Sequence, residues 1–330
     1  ITPYCRLLRL LESNHSLFIM IEKDDQTAQL VLLLEKTKVG PLNASLKGTK
    51  GKELHCYYWK PRDGKEPKGI IMLCHGFGEY LSWYEELASL LAENGYFVFG
   101  HDHVGHGKSE GTKGKVNSIT ELVDDIFLHA EYVKKLYPKK SSFLIGHSMG
   151  GMISVVCATR KEIEKFNGMI LLAPLINSNA PNNTALTRSL ARLLNHVAPN
   201  LVVGSLDVDL ITHCEMKKLQ IKSDPLQFKG GLRACTAVAF MSGMEEISRN
   251  NAGIDIPFLL IHGEKDMLCC PEASRQFFEK ASSSDKTFHL IPEMLHNPCQ
   301  ELPVYKDQVF KEVLHWISER TTCIQNVPAN

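Results

Sequence analysis

Gly146-His147-Ser148-Met149-Gly150 sets a serine between glycines directly after the apolar pair Leu144-Ile145. Small residues on both sides let a chain pass from strand to helix so sharply that the serine hydroxyl stands exposed above a sheet, a nucleophile elbow. The chemistry on offer is attack at an acyl carbonyl. The pentapeptide alone arises by chance in roughly one chain in ten of this size, so its partners decide. A serine hydroxyl is a poor nucleophile until a base takes its proton, and the base needs a carboxylate to fix its tautomer. On a strand-to-helix scaffold the chain order is serine, acid, histidine. Asp266 fits the acid, in the turn after the apolar run Phe258-Leu259-Leu260-Ile261, with Glu264 as its competitor. His296, in the loop Glu293-Met294-Leu295-His296-Asn297-Pro298, fits the base. Its rival His289 falls within a strand pattern, where its side chain lies on a sheet face.

Acyl transfer also needs two N–H groups aimed at the oxyanion. Met149 N–H follows the serine, and Phe77 N–H sits in His75-Gly76-Phe77-Gly78, a loop leaving an early strand. His75 and the loop His101 to Gly107 are expected to brace this region by hydrogen bonding. His147, locked in the elbow, packs or hydrogen-bonds and does not serve as the base. This chemistry requires neither a metal nor an organic cofactor.

These groups need a frame. Apolar runs at 53–59, 70–74, 97–99, 142–146, 169–173, 257–261 and 287–291 alternate with helical patterns at 84–94, 118–137, 149–160, 271–281 and 304–320. That rhythm means a mostly parallel sheet with helices on both faces. It breaks between 175 and 250, where helices near 184–197 and 232–244 stand without a clear strand, the pattern of an inserted helical cap. The core is therefore read as 47–174 and 251–321, with 1–46 an extension of unknown role and 322–330 a disordered tail.

Equal basic and acidic counts, 37 of each, exclude a general nucleic-acid binder, which needs a basic face. The ten cysteines are scattered and form no C-x-x-C pair, so a reducing, cytoplasmic setting with free thiols is expected. No run reaches the ~18 to 20 apolar residues of a membrane span. The N-terminus lacks a secretory pattern, although Arg6, Arg9 and nearby leucines suit a weak amphipathic helix. The chain starts at Ile1, so the natural start is expected to lie upstream.

From about residue 47 to 321 the chain resembles the monoacylglycerol lipases of the α/β-hydrolase family. The resemblance rests on the strings Leu54-His55-Cys56-Tyr57-Tyr58-Trp59-Lys60-Pro61, His75-Gly76-Phe77-Gly78-Glu79, Tyr84-Glu85-Glu86-Leu87-Ala88, His101-Asp102-His103-Val104-Gly105-His106-Gly107, Gly146-His147-Ser148-Met149-Gly150-Gly151, Ser223-Asp224-Pro225-Leu226 and Glu301-Leu302-Pro303. It implies an α/β-hydrolase fold, the triad Ser148, Asp266 and His296, an oxyanion hole at Phe77 and Met149, and a monoacylglycerol or related lipid ester as substrate. It also implies a cap that touches the membrane peripherally, and it leaves room for a homodimer. The cap pattern Leu186, Leu190, Leu193, Leu194 and Val197, with Arg188 and Arg192 beside it, can pack on the core or lie against lipid; the resemblance points to lipid.

Departures fall around the substrate's polar end. Tyr80 and Trp83 stand where the family tends to have His and Arg, Ile221 replaces a cap tyrosine, and Cys299 replaces a histidine, while Glu79 is retained. Cys235 and Cys269 match reagent-sensitive thiols of the family, and Phe228 stands at a third such position. Glu79, Tyr80, Trp83, Ile221, Cys235 and Cys269 are thus the candidate substrate contacts. The alternatives to a monoacylglycerol lipase are a lysophospholipase or general carboxylesterase with the same triad, and a non-catalytic lipid-binding relative.

Overall fold

A strand buried along its whole length needs cover on both faces, and Gly69–Cys74 is such a strand. In the computed structural model, which describes residues 42–62, 64–178 and 185–325, it lies inside an eight-stranded sheet. The strands are β1 (Leu42–Lys47), β2 (Glu53–Trp59), β3 (Gly69–Cys74), β4 (Phe97–His101), β5 (Ser141–His147), β6 (Gly168–Leu172), β7 (Val202–Gly204), β8 (Leu232–Arg233), β9 (Phe258–Gly263) and β10 (Lys286–Ile291). The main sheet runs β1-β2-β4-β3-β5-β6-β9-β10. Pairings β1–β2 and β2–β4 are antiparallel and the others parallel.

The helices are α1 (Glu85–Glu93), α2 (Ile119–Leu136), α3 (Met149–Cys157), α4 (Ala185–Val197), α5 (Glu215–Ser223), α6 (Ala234–Asn250), α7 (Pro271–Lys280) and α8 (Pro303–Gln325). Successive strand side chains point to opposite faces. Ile70, Met72, Leu144 and Leu260 therefore share one core with Leu122 and Ile126 of α2, Ile153 of α3 and Phe277 of α7. Ile71, Leu73, Ile145 and Ile261 share the other with Leu87 and Leu91 of α1 and Val309, Val313 and Trp316 of α8. Two apolar interfaces clamp the sheet, and every parallel strand ends its carboxyl side at the same edge.

Three readings of the sequence are corrected. The boundary at 46 cuts a strand: β1 pairs with β2 from Leu42↔Tyr58 to Lys47↔Glu53 and buries Leu42 and Leu46, so the core includes residues from Leu42 on. A single six-residue edge strand offers too little alternation to stand out. The cap holds a two-stranded pair, β7 with β8, and the additional helix α5. At the C-terminus α8 continues to Gln325, because no glycine or proline stops it before Pro328. The proposed Arg6/Arg9 helix, the rest of the extension to 41, the Leu186 side chain and residues 326–330 lie outside the described residues.

The cap spans the connection from β6 to β9. Its α6 joins the core through Ala239, Phe240 and Ile247. Among the described residues none of α4 belongs to either core, and Leu190, Leu193 and Val197 are 50%, 61% and 72% exposed.

Candidate active site

Ser148 links β5 to α3 with φ 54° and ψ −114°, a conformation that non-glycine residues adopt rarely and only when their surroundings enforce it. Packing is the enforcement. A Cβ on Gly146 would lie 2.3 Å from the Gly150 carbonyl oxygen, and one on Gly150 would lie 2.2 Å from that of Cys74. The two glycines thus let α3 press onto the ends of β5 and β3. Ser148 N–H donates to the Leu172 carbonyl at 3.0 Å, and the Ser148 carbonyl accepts from Leu175 N–H at 3.0 Å, tying the turn to the end of β6 and the loop that follows it.

The same contact brings the segment after β3 beside the elbow. Neither Phe77 N–H nor Met149 N–H has an acceptor among the described residues. His75 orients the first of them. Its Nδ1–H donates to the Gly76 carbonyl at 2.8 Å, its Nε2 accepts from His103 N–H at 2.9 Å, and a planar peptide held at its carbonyl is held at the Phe77 N–H too. Burial first, and then nearby His106, lower the His75 pKa to about 3, so it remains neutral in this role.

Asp266 and His296 meet at the carboxyl ends of β9 and β10. His296 Nδ1 lies 2.7 Å from Asp266 Oδ2, and both residues are buried. The same oxygen lies 3.0 Å from His262 Nε2, while Oδ1 accepts from the N–H groups of Leu268 and Cys269 at 2.8 and 2.9 Å. Burial would raise the Asp266 pKa, but the facing His296 charge and the hydrogen bonds from His262 and His296 outweigh it and hold it far below the usual carboxylate range. Of their competitors, Glu264 is exposed and His289 pairs with Glu312 at 2.6 Å. The Ser148 hydroxyl lies 4.0 Å from Cys269 Sγ and is not hydrogen-bonded to His296. Such bonds are often long before substrate arrives.

Behind the histidine lies a polar group that sequence reasoning saw only in pieces. Tyr84 Oη is 2.6 Å from Glu79 Oε2 and 2.7 Å from His147 Nδ1. Asn297 Nδ2 donates to Glu79 Oε1 at 3.1 Å, and His147 Nε2–H donates to the His296 carbonyl at 3.2 Å. Glu79 is therefore turned inward, with both oxygens held by protein. Burial would raise its pKa, yet the His147 charge and bonds from His147 and Tyr84 lower it. Tyr84, Asn297 and His262 carried no sequence signal beyond lying beside the motifs.

The other candidates scatter around this centre. Tyr80 Oη donates to Asp224 at 2.6 Å, and Lys217 sits 5.8 Å over the half-buried Trp83 ring. Ile221 is buried on α5, and Cys235 is buried at the start of α6 beside Thr236. The Phe77 ring packs edge-on against Phe228 and Phe240. Asp266, Cys269 and His296 are the only group spaced to hold a cation among the described residues, but the Asp266 oxygens are already taken by four N–H donors, counting His262 and His296.

The family described as serine aminopeptidase, S33, matches residues 65–303. The monoglyceride lipase of Mus musculus is 36% identical over 270 residues, 82% of this chain and 88% of that protein. The chain belongs to the monoglyceride lipase family. Its fold agrees with a soluble variant of the monoglyceride lipase of Saccharomyces cerevisiae, solved with a substrate analogue, at a TM-score of 0.75 and 27% identity over 86% of this chain and 97% of that one. A monoacylglycerol lipase of Paleococcus ferrophilus matches at 0.72 and 26% identity over 81% of this chain and 99% of the other. The sheet that carries Ser148 at the end of β5 is an α/β-hydrolase sheet. Among the described residues no helix is long and apolar enough to cross a membrane.

Proposed function

We propose that Ser148, His296 and Asp266 are nucleophile, general base and orienting acid in the hydrolysis of monoacylglycerols to fatty acid and glycerol, with the Phe77 and Met149 amides as the oxyanion hole. The supporting observation is the buried Asp266–His296 pair at 2.7 Å beside a serine held at positive φ. Asp266 keeps the His296 proton on Nδ1, leaving Nε2 to accept the Ser148 proton as Oγ bonds to the ester carbon. The carbonyl electrons move to the oxygen, where each amide is worth about 2.7–4 kcal/mol in the transition state. Collapse breaks the ester C–O bond, and glycerol leaves with the proton from His296. Water then gives its proton to His296, attacks the acyl carbon and releases the fatty acid, returning the proton to Ser148.

Tyr80, Trp83, Ile221, Cys235 and Cys269 are our candidates for substrate contact, and Glu79 acts from behind. The exposed Leu190, Leu193 and Val197 fit a cap that rests on a lipid surface, and a second copy of the chain is the other occupant such a strip could take. Replacing Leu193 and Val197 by Glu should weaken binding to lipid vesicles roughly tenfold per side chain and leave turnover of a short water-soluble ester intact. Unchanged vesicle binding would dismiss the lipid contact.

A lysophospholipase reading draws on Tyr80, Trp83 and Cys299, which alter the polar end of the site. Product analysis on monoolein beside lysophosphatidylcholine decides. Faster release of oleate from monoolein, abolished by Ser148→Ala, supports the lipase; preference for the choline lipid supports the other.

A further inference from the structure

We propose that Glu301 is a positioning residue that fixes the backbone of the His296 loop and clamps the cap to it. Its side chain is fully buried and lies five residues beyond the histidine, yet its carboxylate folds back along the loop. Oε1 accepts from Leu295 N–H at 3.2 Å, and Oε2 accepts from Leu302 N–H at 2.9 Å. His213, at the root of α5, approaches the same group with its Nδ1 3.0 Å from Oε1 and its N–H 3.2 Å from Oε2.

Three consecutive backbone groups around the base are thereby held by three different parts of the chain. Leu295 N–H is held by Glu301, the His296 carbonyl by His147, and Asn297 N–H by the Ile211 carbonyl at 2.8 Å. Thr212 Oγ1 adds a bond to the Gln300 carbonyl at 2.9 Å, so cap residues 211–213 run zipped along 297–301. The His296 ring can meet both Asp266 and Ser148 only if its main chain is fixed to within a fraction of an ångström. A neutral aliphatic residue at 301 would leave the Leu295, Leu302 and His213 backbone N–H groups and the half-exposed His213 ring without this acceptor, whereas the buried carboxylate satisfies all four.

This inference rests on His296 as the base, and the test separates the two. Glu301→Gln keeps the shape but puts an NH2 where one oxygen accepted, and Glu301→Asp keeps the charge on a shorter arm. Each is assayed on a water-soluble short ester and on monoolein, with thermal unfolding and the downfield proton resonance of the His296 Nδ1–H···Asp266 bond followed in the same samples. Expected for Glu301→Gln is a kcat at least tenfold lower on both esters, KM within about twofold, and a shifted or broadened resonance; Glu301→Asp should recover part of kcat. If Glu301→Gln does not fold, the Glu301→Asp kcat decides alone. A folded variant with lowered melting temperature but wild-type kcat and resonance overturns the proposal. Full activity in His296→Ala would instead remove the base assignment on which it rests.

Discussion

Replacing Asp266 by Asn separates orientation from packing. The carboxylate holds four N–H donors: His296 and His262 on Oδ2, Leu268 and Cys269 on Oδ1. An amide can take two poses. With its NH2 toward Leu268 and Cys269, two buried backbone N–H groups lose their acceptor, which costs about 1–3 kcal/mol each. With its NH2 toward the histidines, both of its hydrogens find ring nitrogens once His296 and His262 change tautomer, and His262 can do so because its other nitrogen faces the Ser274 hydroxyl at 2.9 Å, a group able to donate or accept. The second pose wins. It leaves the fold nearly intact but puts the His296 proton on Nε2, where it can no longer receive the Ser148 proton. The loss should approach about 10⁴ in kcat, roughly 5 kcal/mol at 1.36 kcal/mol per tenfold. Initial rates of fatty acid release from monoolein, with thermal unfolding as the control, measure it. A folded Asp266→Asn enzyme within tenfold of wild-type kcat would refute the reasoning.

Two further outcomes follow from the same geometry. Gly150→Ala places a methyl 2.2 Å from the Cys74 carbonyl oxygen, which cannot yield, so α3 must lift from β3 and the two amides part; kcat should fall about 10²–10³-fold, the loss of one oxyanion donor, and an unaltered kcat would count against the Phe77/Met149 assignment. Stability should fall below pH 6.5, because His75, His101 and His106 have folded pKa values lowered to about 3, 4 and 4, chiefly by burial. Their unfolded forms bind protons that the folded forms refuse, so stability is full above the unfolded value of about 6.5 and is lost as pH drops toward the folded values, by about 1.4 kcal/mol per pH unit for each histidine. The depressed Asp266 adds a loss only at still lower pH, below its unfolded value. Urea unfolding midpoints that stay level from pH 7 to 5 would contradict this.

The elbow at Ser148 was legible because its packing demands glycines at 146 and 150, which print a string in the sequence. Asp266 and His296 were legible because a parallel sheet gathers the loops after its later strands at one edge. What escaped depends on long-range contact. Tyr84 meets His147 across 63 positions and Asn297 meets Glu79 across 218, and no local pattern announces either. Glu79 entered as a substrate contact only through the resemblance, and nothing local announces that its carboxylate is held by Tyr84 and Asn297. The pair β7 and β8 escaped for a simpler reason: strands of three and two residues are too short to show a period.

The most direct measurement is the intact mass of the protein after exposure to a fluorophosphonate, with peptide mapping of the adduct. One covalent adduct on Ser148, absent from folded Ser148→Ala and slowed in His296→Ala, is the predicted result. A folded wild-type protein that takes no label, or a label that persists in Ser148→Ala, would contradict the catalytic role given to Ser148.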